Sequence, residues 1–225
     1  MIDALKKITS PSVANAIETF KIRPRHHGNV SSEIRCLFPE LGPMVGYAVP
    51  CVIRAEHEPI KDHRASTYGW WDYVLTIPAP RVIAVHDLDD PRGQGAQWGE
   101  VQANIHRALG CVGVLTDGSV RDLDEVKALG FQFAAAHVSV SHAWVHMVDF
   151  GIPVKVGGLW IKPGDLIHAD QHGATTIPHE IADKIPQAVA DVEADERKII
   201  SVCQAPGFTA QKLKDLYGKI RPGTY

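Results

Sequence analysis

The chain has 225 residues, 45% of them apolar and 22% charged, with a formal charge of −3 at pH 7. A chain of that length and balance can bury a substantial core in one soluble globular domain, with room for terminal extensions. The charge offers no basic face of the kind that nucleic acid or anionic lipid demands, and no run approaches a membrane span, so neither nucleic acid nor a membrane is expected as a partner.

The opening stretch, "MIDALKKITSPSVANAIETF", reads as an amphipathic helical start over residues 3–21. Leu5, Ile8, Val13, Ala16, Ile17 and Phe20 recur at roughly helical spacing, with an interruption near Pro11. No long apolar core follows the lysines, which distinguishes it from a signal peptide. The four cysteines, Cys36, Cys51, Cys111 and Cys203, are widely spaced and form no CxxC pair. They read as reduced and mostly buried, and a cytoplasmic setting is the simplest expectation.

"MVGYAVPCVIRAE" alternates and is rich in β-branched residues, which predicts a strand. "STYGWWDYVLTIPAP" fits a helical crossover in a parallel α/β scheme, and "RVIAVHDL" a buried strand. A loop, "DDPRGQGAQWG", then leads into a helix over 100–109 with Val101, Ile105, Ala108 and Leu109 on one face. "CVGVLTDG" is the next strand, and "DLDEVKALG" a short helix that buries Leu123, Val126 and Leu129 and ends at Gly130. Two strand-like runs follow, "FQFAAAHVSV" and "IPVKVGG", then "LWIKPGDLIHAD", a "DQHGA" turn and "TTIP", whose short β runs and tight turns predict antiparallel pairing. A long helix is expected over 179–203, with Ile181, Ile185, Val189, Val192, Ile199 and Cys203 near one stripe, and a last short helix in "APGFTAQKLKDLYGKIRPGTY".

The chemistry concentrates where two strands hand over to helices. In an α/β sheet ligands gather at the carboxyl ends of strands, and "RVIAVHDLDD" and "CVGVLTDGSVRD" both end there. Arg121 can grip a carboxylate by a two-pronged contact, Asp122 can hold a hard divalent ion, and Glu100 can handle a water or a proton. Free backbone N–H groups at the start of the Glu100 helix would cradle a small carboxylate, so the set suits an α-keto acid. Each residue also has a plainer role. Asp122 with Glu125 is a capping-box pattern, the more economical reading of that aspartate on the residues alone. Arg121 would then be a solvated surface cation, and Glu100 an acid favoured by the helix dipole.

Three pieces, "GEVQANIHRALGCVGVLTDGSVRD", "GIPVKVGGLWIKPGDLIHADQHGATTIP" and, more weakly, "LGPMVGYAVP", resemble the RraA-like family, which includes 4-hydroxy-4-methyl-2-oxoglutarate aldolase. The resemblance covers roughly residues 10–205 and implies an α/β fold, a layered α/β/β sandwich with flanking terminal helices. It implies a single domain over 1–225, with its core at about 10–180 and a C-terminal helical extension at about 179–225. The family's aldolases carry an acid, twenty residues, then Arg-Asp; here these are Glu100 and Arg121-Asp122, with Glu where the aldolases usually have Asp.

The activity so implied is that of a divalent-metal pyruvate aldolase cleaving a 4-hydroxy-2-oxo acid, with oxaloacetate decarboxylation through the same enolate. Asp122 would bind Mg2+ or Mn2+; Arg121 and the backbone amides around Gly99, Glu100, Val101 and Gln102 would hold the oxo acid; Glu100 would position the water that moves the proton. An acid from a neighbouring subunit would approach the metal waters, Glu196 or failing that Glu193, in a homotrimer or a homohexamer. The family also contains non-catalytic regulators that bind a ribonuclease or helicase partner; an acid at position 100 favours the enzyme. A hydrolase or isomerase on the same scaffold is a blander option.

Other candidates carry less. "SHAWVH" sets His142 and His146 at a zinc-compatible spacing but without a zincin glutamate, so both read as pocket-rim or interface histidines. His137, His168 and His172 lie near predicted strand ends and are structural by default, although one could meet the substrate's distal group. "YGWWDY" reads as core or subunit contact, or more sharply as a substrate lid, and "DDPRGQG" lacks the pattern of a phosphate loop.

Overall fold

The computed structural model describes residues 1–60 and 64–220; the last five residues of the predicted helical tail lie outside this range. In chain order the elements are α1 (Ile2–Leu5), α2 (Ser10–Thr19), β1 (Arg35–Cys36), β2 (Met44–Arg54), α3 (Thr67–Thr76), β3 (Arg81–Asp87), β4 (Ala96–Trp98), α4 (Glu100–Ala108) and β5 (Cys111–Val120). There follow α5 (Leu123–Leu129), β6 (Gln132–Val138), β7 (His146–Phe150), β8 (Val154–Val156), β9 (Leu159–Ile161), β10 (Leu166–Asp170), β11 (Gly173–Ile177), α6 (Ile185–Gln204) and α7 (Ala210–Ile220).

One mixed sheet runs β1-β6-β5-β3-β2-β10-β11, with β4 added beside β5 and β7 beside β2. The central strands β2, β3, β5 and β6 are parallel, while β10 and β11 are antiparallel, as the turn-rich sequence there predicts. Alternation along the central strands sorts the core into two faces. Val49, Cys51, Ile53, Ile83 and Val85 pack under the helices with Trp70 of α3, Ala103 of α4 and Val126 of α5. Ala48, Val52, Val82, Ala84 and Leu115 face the β8–β9 hairpin through Val154, Val156, Leu159 and Ile161. The layers are therefore helix, sheet and hairpin. A third cluster, including Leu5, Val13, Ile17, Ile181 and Ile185, fastens α1, α2 and α6 against Val45 and Leu166.

Pro50 sits inside β2 without breaking it. Along that edge β10 pairs with Met44–Tyr47 and β7 with Cys51–Arg54, so the proline falls where one neighbour gives way to the other and its missing N–H costs no ladder bond.

The structure departs from the sequence reading in several places. The first helix is two, because Thr9 caps α2 by accepting from the Ser12 amide and Pro11 sits in its first turn. The predicted helix over 179–203 begins as a 3-10 turn (His179–Ile181) and becomes α-helical at Ile185; its stripe is buried at Ile185 and Val189 but reaches the surface at Cys203. Only Cys51 and Cys111 of the four cysteines are buried. The loop before Glu100 contains β4, three residues that pair with the end of β5 and are too short to leave a periodic signal.

Helix α4 is rotated from the predicted face. It buries Ala103 and His106, whereas Val101 is 68% exposed. The reason is chemical: buried His106 accepts the Trp70 Nε1–H at 2.8 Å and donates its own Nδ1–H to the Gln102 carbonyl at 2.7 Å. A polar ring with both nitrogens satisfied fills a core position that an apolar template gives to Val101 or Ile105.

Candidate functional site

The site forms where β5 delivers the chain into α5, beside the start of α4. The Arg121 amide donates to the Trp98 carbonyl at 3.0 Å, which fixes the end of β5 against the chain entering α4. The next residue, Asp122, occupies the left-handed region (φ 53°, ψ 50°), costly for a residue with a side chain and a recurrent mark of functional positions. It stands at the N-cap position of α5, yet its carboxylate makes no bond to that helix. Its Oδ2 instead accepts the Glu100 amide of α4 at 2.9 Å. The capping-box expectation is thus corrected: the left-handed backbone turns the side chain away from its own amides and across to the neighbouring helix.

Gly99 is what makes this crossing possible. Its backbone is extended and open to any residue, but a Cβ there would lie well inside van der Waals contact distance of Asp122 Oδ2 and 3.0 Å from Arg121 Cγ. Arg121 Nε lies 3.7 Å from Asp122 Oδ2, a loose pairing of two half-buried side chains that leaves the guanidinium fork free for a bidentate partner. Within α4 the first bond is from the Ala103 amide to the Gly99 carbonyl, so the Val101 and Gln102 amides find no acceptor among the described residues.

Gly99, Val101, Gln102, Arg121 and Asp122 line one cavity of about 270 Å3, shared with Arg64, Ala96, Gln97, His142 and Val145. Glu100 contributes its amide, but its side chain is exposed and is not part of the cavity wall. Glu196 lies on α6 beside a separate cleft with Glu18, Lys21 and Arg25, away from its own chain's Arg121 and Asp122. His142 is a rim residue, its Nδ1 donating to the Ala143 carbonyl at 2.7 Å. His146 lines an adjoining recess with Trp70 and Trp71. His168 is a core tie instead, bonded to Ser10 Oγ at 2.9 Å and the Leu5 carbonyl at 3.1 Å, and burial lowers its pKa.

Sequence reasoning missed Arg64, Gln97 and His106. The first two come from a loop and a three-residue strand that carry no motif. His106 had a faint signal in its position three residues after Ala103, on the stripe that α4 buries. Also missed was a buried carboxylate cluster on the far side of the strand ends. Asp117 accepts the Asp87 amide at 2.9 Å and meets His86 Nδ1 at 2.8 Å, while Asp89 Oδ2 accepts from Ala55 and Glu56 at 2.6 and 2.9 Å. Burial raises the Asp87 pKa, against the pull of the Gly93 and Asp89 amides. These bonds clamp loops, while Asp89 Oδ1 is buried without a hydrogen-bond partner among the described residues.

Among the described residues no three His, Cys, Asp or Glu side chains converge as a metal cage. One carboxylate facing a polar cavity is the donor set of a different ion. A hard divalent cation such as Mg2+ binds through one or two carboxylates, retains several waters and takes substrate oxygens for the rest. Asp122 fits that description.

Residues 10–176 match the family described as RraA-like: Aldolase/RraA. The chain belongs to the RraA-like family. Its fold is shared with an uncharacterized protein from Pseudomonas syringae pv. tomato (TM-score 0.73, 22% identity, 96% of this chain and 93% of that one). It is shared too with Streptomyces coelicolor RraAS2, titled an unusual member of the RNase ES inhibitor RraA protein family (TM-score 0.68, 21% identity, 87% and 93% covered). A Halalkalibacterium halodurans protein named "Putative 4-hydroxy-4-methyl-2-oxoglutarate aldolase" is 33% identical over 106 residues, 45% of this chain. That match spans 50% of the relative's length. An uncharacterized Methanocaldococcus jannaschii protein is 27% identical over 139 residues, 60% of this chain and 67% of its own. No helix among the described residues is long and apolar enough to cross a membrane.

Proposed function

We propose that this RraA-like protein is a metal-dependent carbon–carbon lyase that releases pyruvate from a 4-hydroxy-2-oxo acid and also decarboxylates oxaloacetate. The observation that carries the reading is the crossing of Asp122 from its own helix to the Glu100 amide, which sets a carboxylate, the Arg121 guanidinium and two open helix amides around one cavity. The aldolase name borne by relatives agrees with it.

In this reading Arg121 pairs with the carboxylate of the oxo acid, and the Val101 and Gln102 amides, at the positive end of α4, take its oxygens. Asp122 would hold Mg2+ or Mn2+, which when bound supplies several kcal/mol of stabilisation to enolate charge, on the order of that from an oxyanion hole. Glu100, exposed at the cavity's edge, handles the proton through a water, its extra methylene lengthening the reach of the usual aspartate. We assign a supporting acid to Glu196 of a neighbouring subunit in a homotrimer or homohexamer, and a single domain in a cytoplasmic setting as the working unit.

The test is pyruvate release from oxaloacetate and from 4-hydroxy-4-methyl-2-oxoglutarate, with Mg2+ and with EDTA, for the wild type and Asp122→Ala. Activity that requires the cation and vanishes in the variant is expected. Turnover indifferent to both changes would overturn the assignment, and no turnover at all would favour a non-catalytic regulator binding a ribonuclease or helicase partner.

A further inference from the structure

The wall of the Arg121–Asp122 cavity holds several groups that can bind an oxo acid and few that can move its proton. Arg64 and Arg121 are permanent cations, and Gln97 and Gln102 are amides, so none of the four takes up a proton near neutral pH. Asp122 is engaged, its Oδ2 accepting the Glu100 amide, and it is the residue assigned to the cation. The Glu100 side chain lies outside the wall. That leaves His142, and imidazole is the side chain that exchanges a proton near neutrality.

The loop between β6 and β7 holds this ring in one tautomer and one place. His142 Nδ1 lies 2.7 Å from the Ala143 carbonyl oxygen, which can only accept, so Nδ1 carries the hydrogen and Nε2 of the neutral ring is a bare lone pair. Nε2 makes no bond among the described residues. Ala143 sits in the left-handed region (φ 47°), seldom adopted by a residue with a side chain and recurrent at functional positions. Its amide donates to Ser141 Oγ at 2.9 Å, and the Ser141 carbonyl accepts the Ala96 amide at 3.1 Å, which ties the loop to the cavity's own wall. Gly95 completes the brace, because a Cβ there would collide with the His142 carbonyl.

We propose that His142 is the base of the carbon–carbon cleavage, its Nε2 taking the proton of the substrate's C4 hydroxyl, a deepening that rests on the lyase reading above. As that proton leaves, the C4–O bond becomes a carbonyl, the C3–C4 bond breaks, and its electron pair passes to C3 as the enolate of pyruvate. A second proton, the one that Glu100 handles through a water, reaches C3 and completes pyruvate. The imidazolium returns its proton to solvent, so one substrate gives pyruvate and a carbonyl product with no other reactant. Oxaloacetate carries a carboxylate at C4 in place of the hydroxyl. Its C3–C4 bond breaks to release carbon dioxide with no proton removed, and only the C3 proton is needed. His142 therefore acts in one reaction and is idle in the other, which separates a base from a residue that merely shapes the cavity.

The experiment measures kcat with Mg2+ for 4-hydroxy-4-methyl-2-oxoglutarate and for oxaloacetate in the full-length wild type, His142→Ala and His142→Asn. The alanine variant is also assayed with added imidazole. The ring is exposed and its one bond is local, so the fold tolerates both changes, and asparagine keeps a donor for the Ala143 carbonyl without a base. The ratio of cleavage to decarboxylation should fall at least about 100-fold in both variants, the lower end of what a positioned proton-transfer group contributes, and imidazole should raise cleavage by the alanine variant at least about tenfold. A smaller fall in either variant, or cleavage that imidazole does not restore, overturns this inference alone. So does a wild type that decarboxylates oxaloacetate and leaves the glutarate intact. A wild type inactive on oxaloacetate overturns the lyase reading and this one with it.

Discussion

Lowering the pH from 7 to 5 should remove about 2 kcal/mol of folding stability through one side chain, His106. Burial, only partly opposed by the bond to the Gln102 carbonyl, brings its pKa down from 6.5 to about 4. Since the ring is 1% exposed, solvent screening takes little from that shift. The unfolded chain binds a proton below pH 6.5, while the folded chain resists until about pH 4. Stability is therefore full above the unfolded value and falls with pH across that window. It levels off below the folded value, at a total of about 3 kcal/mol from 1.36 kcal/mol per unit. Structurally, a protonated ring cannot accept the Trp70 indole N–H. The assay is urea unfolding of the wild type and His106→Gln at steps between pH 7 and 4. The difference between the two isolates His106, because other buried groups such as His168 titrate in both. A difference that stays flat to within about 0.5 kcal/mol would refute the reasoning.

Two further outcomes follow from the site itself. Gly99→Ala should displace the Asp122 carboxylate from the Glu100 amide and lower pyruvate-forming kcat/KM by about 100-fold, the scale of a misplacement near 1 Å; a near-native rate would show that the crossing is dispensable. Arg121→Lys keeps the charge but loses the planar fork, so KM for oxaloacetate should rise by about 10-fold or more; an unchanged KM would remove the guanidinium from substrate binding.

Much of the scaffold was legible in the sequence because its central strands are continuous apolar runs whose alternate residues feed two cores, Val49 and Cys51 on one side, Ala48 and Val52 on the other. The Arg121–Asp122 pair was legible as a motif, but not the direction of its carboxylate. Asp122 with Glu125 satisfies a capping pattern, and only the left-handed backbone at 122 decides which helix receives the bond. The face of α4 was misread for a related reason: periodicity counts apolar residues, and here the buried position belongs to a histidine with both nitrogens bonded. Pairings as short as β1 and β4 leave no period at all.

The crossing from Asp122 to the Glu100 amide also joins the fates of positions 99 and 122, twenty-three residues apart in the chain. Room for the carboxylate exists only while position 99 carries no side chain, and the amide it reaches is the one immediately following. A lineage that sheds the acid at 122 is released from the glycine, and one that first acquires a methyl at 99 has already pushed the carboxylate off the Glu100 amide. Loss of this chemistry would thus be a ratchet with two clicks, and the glycine reports whether the first has occurred.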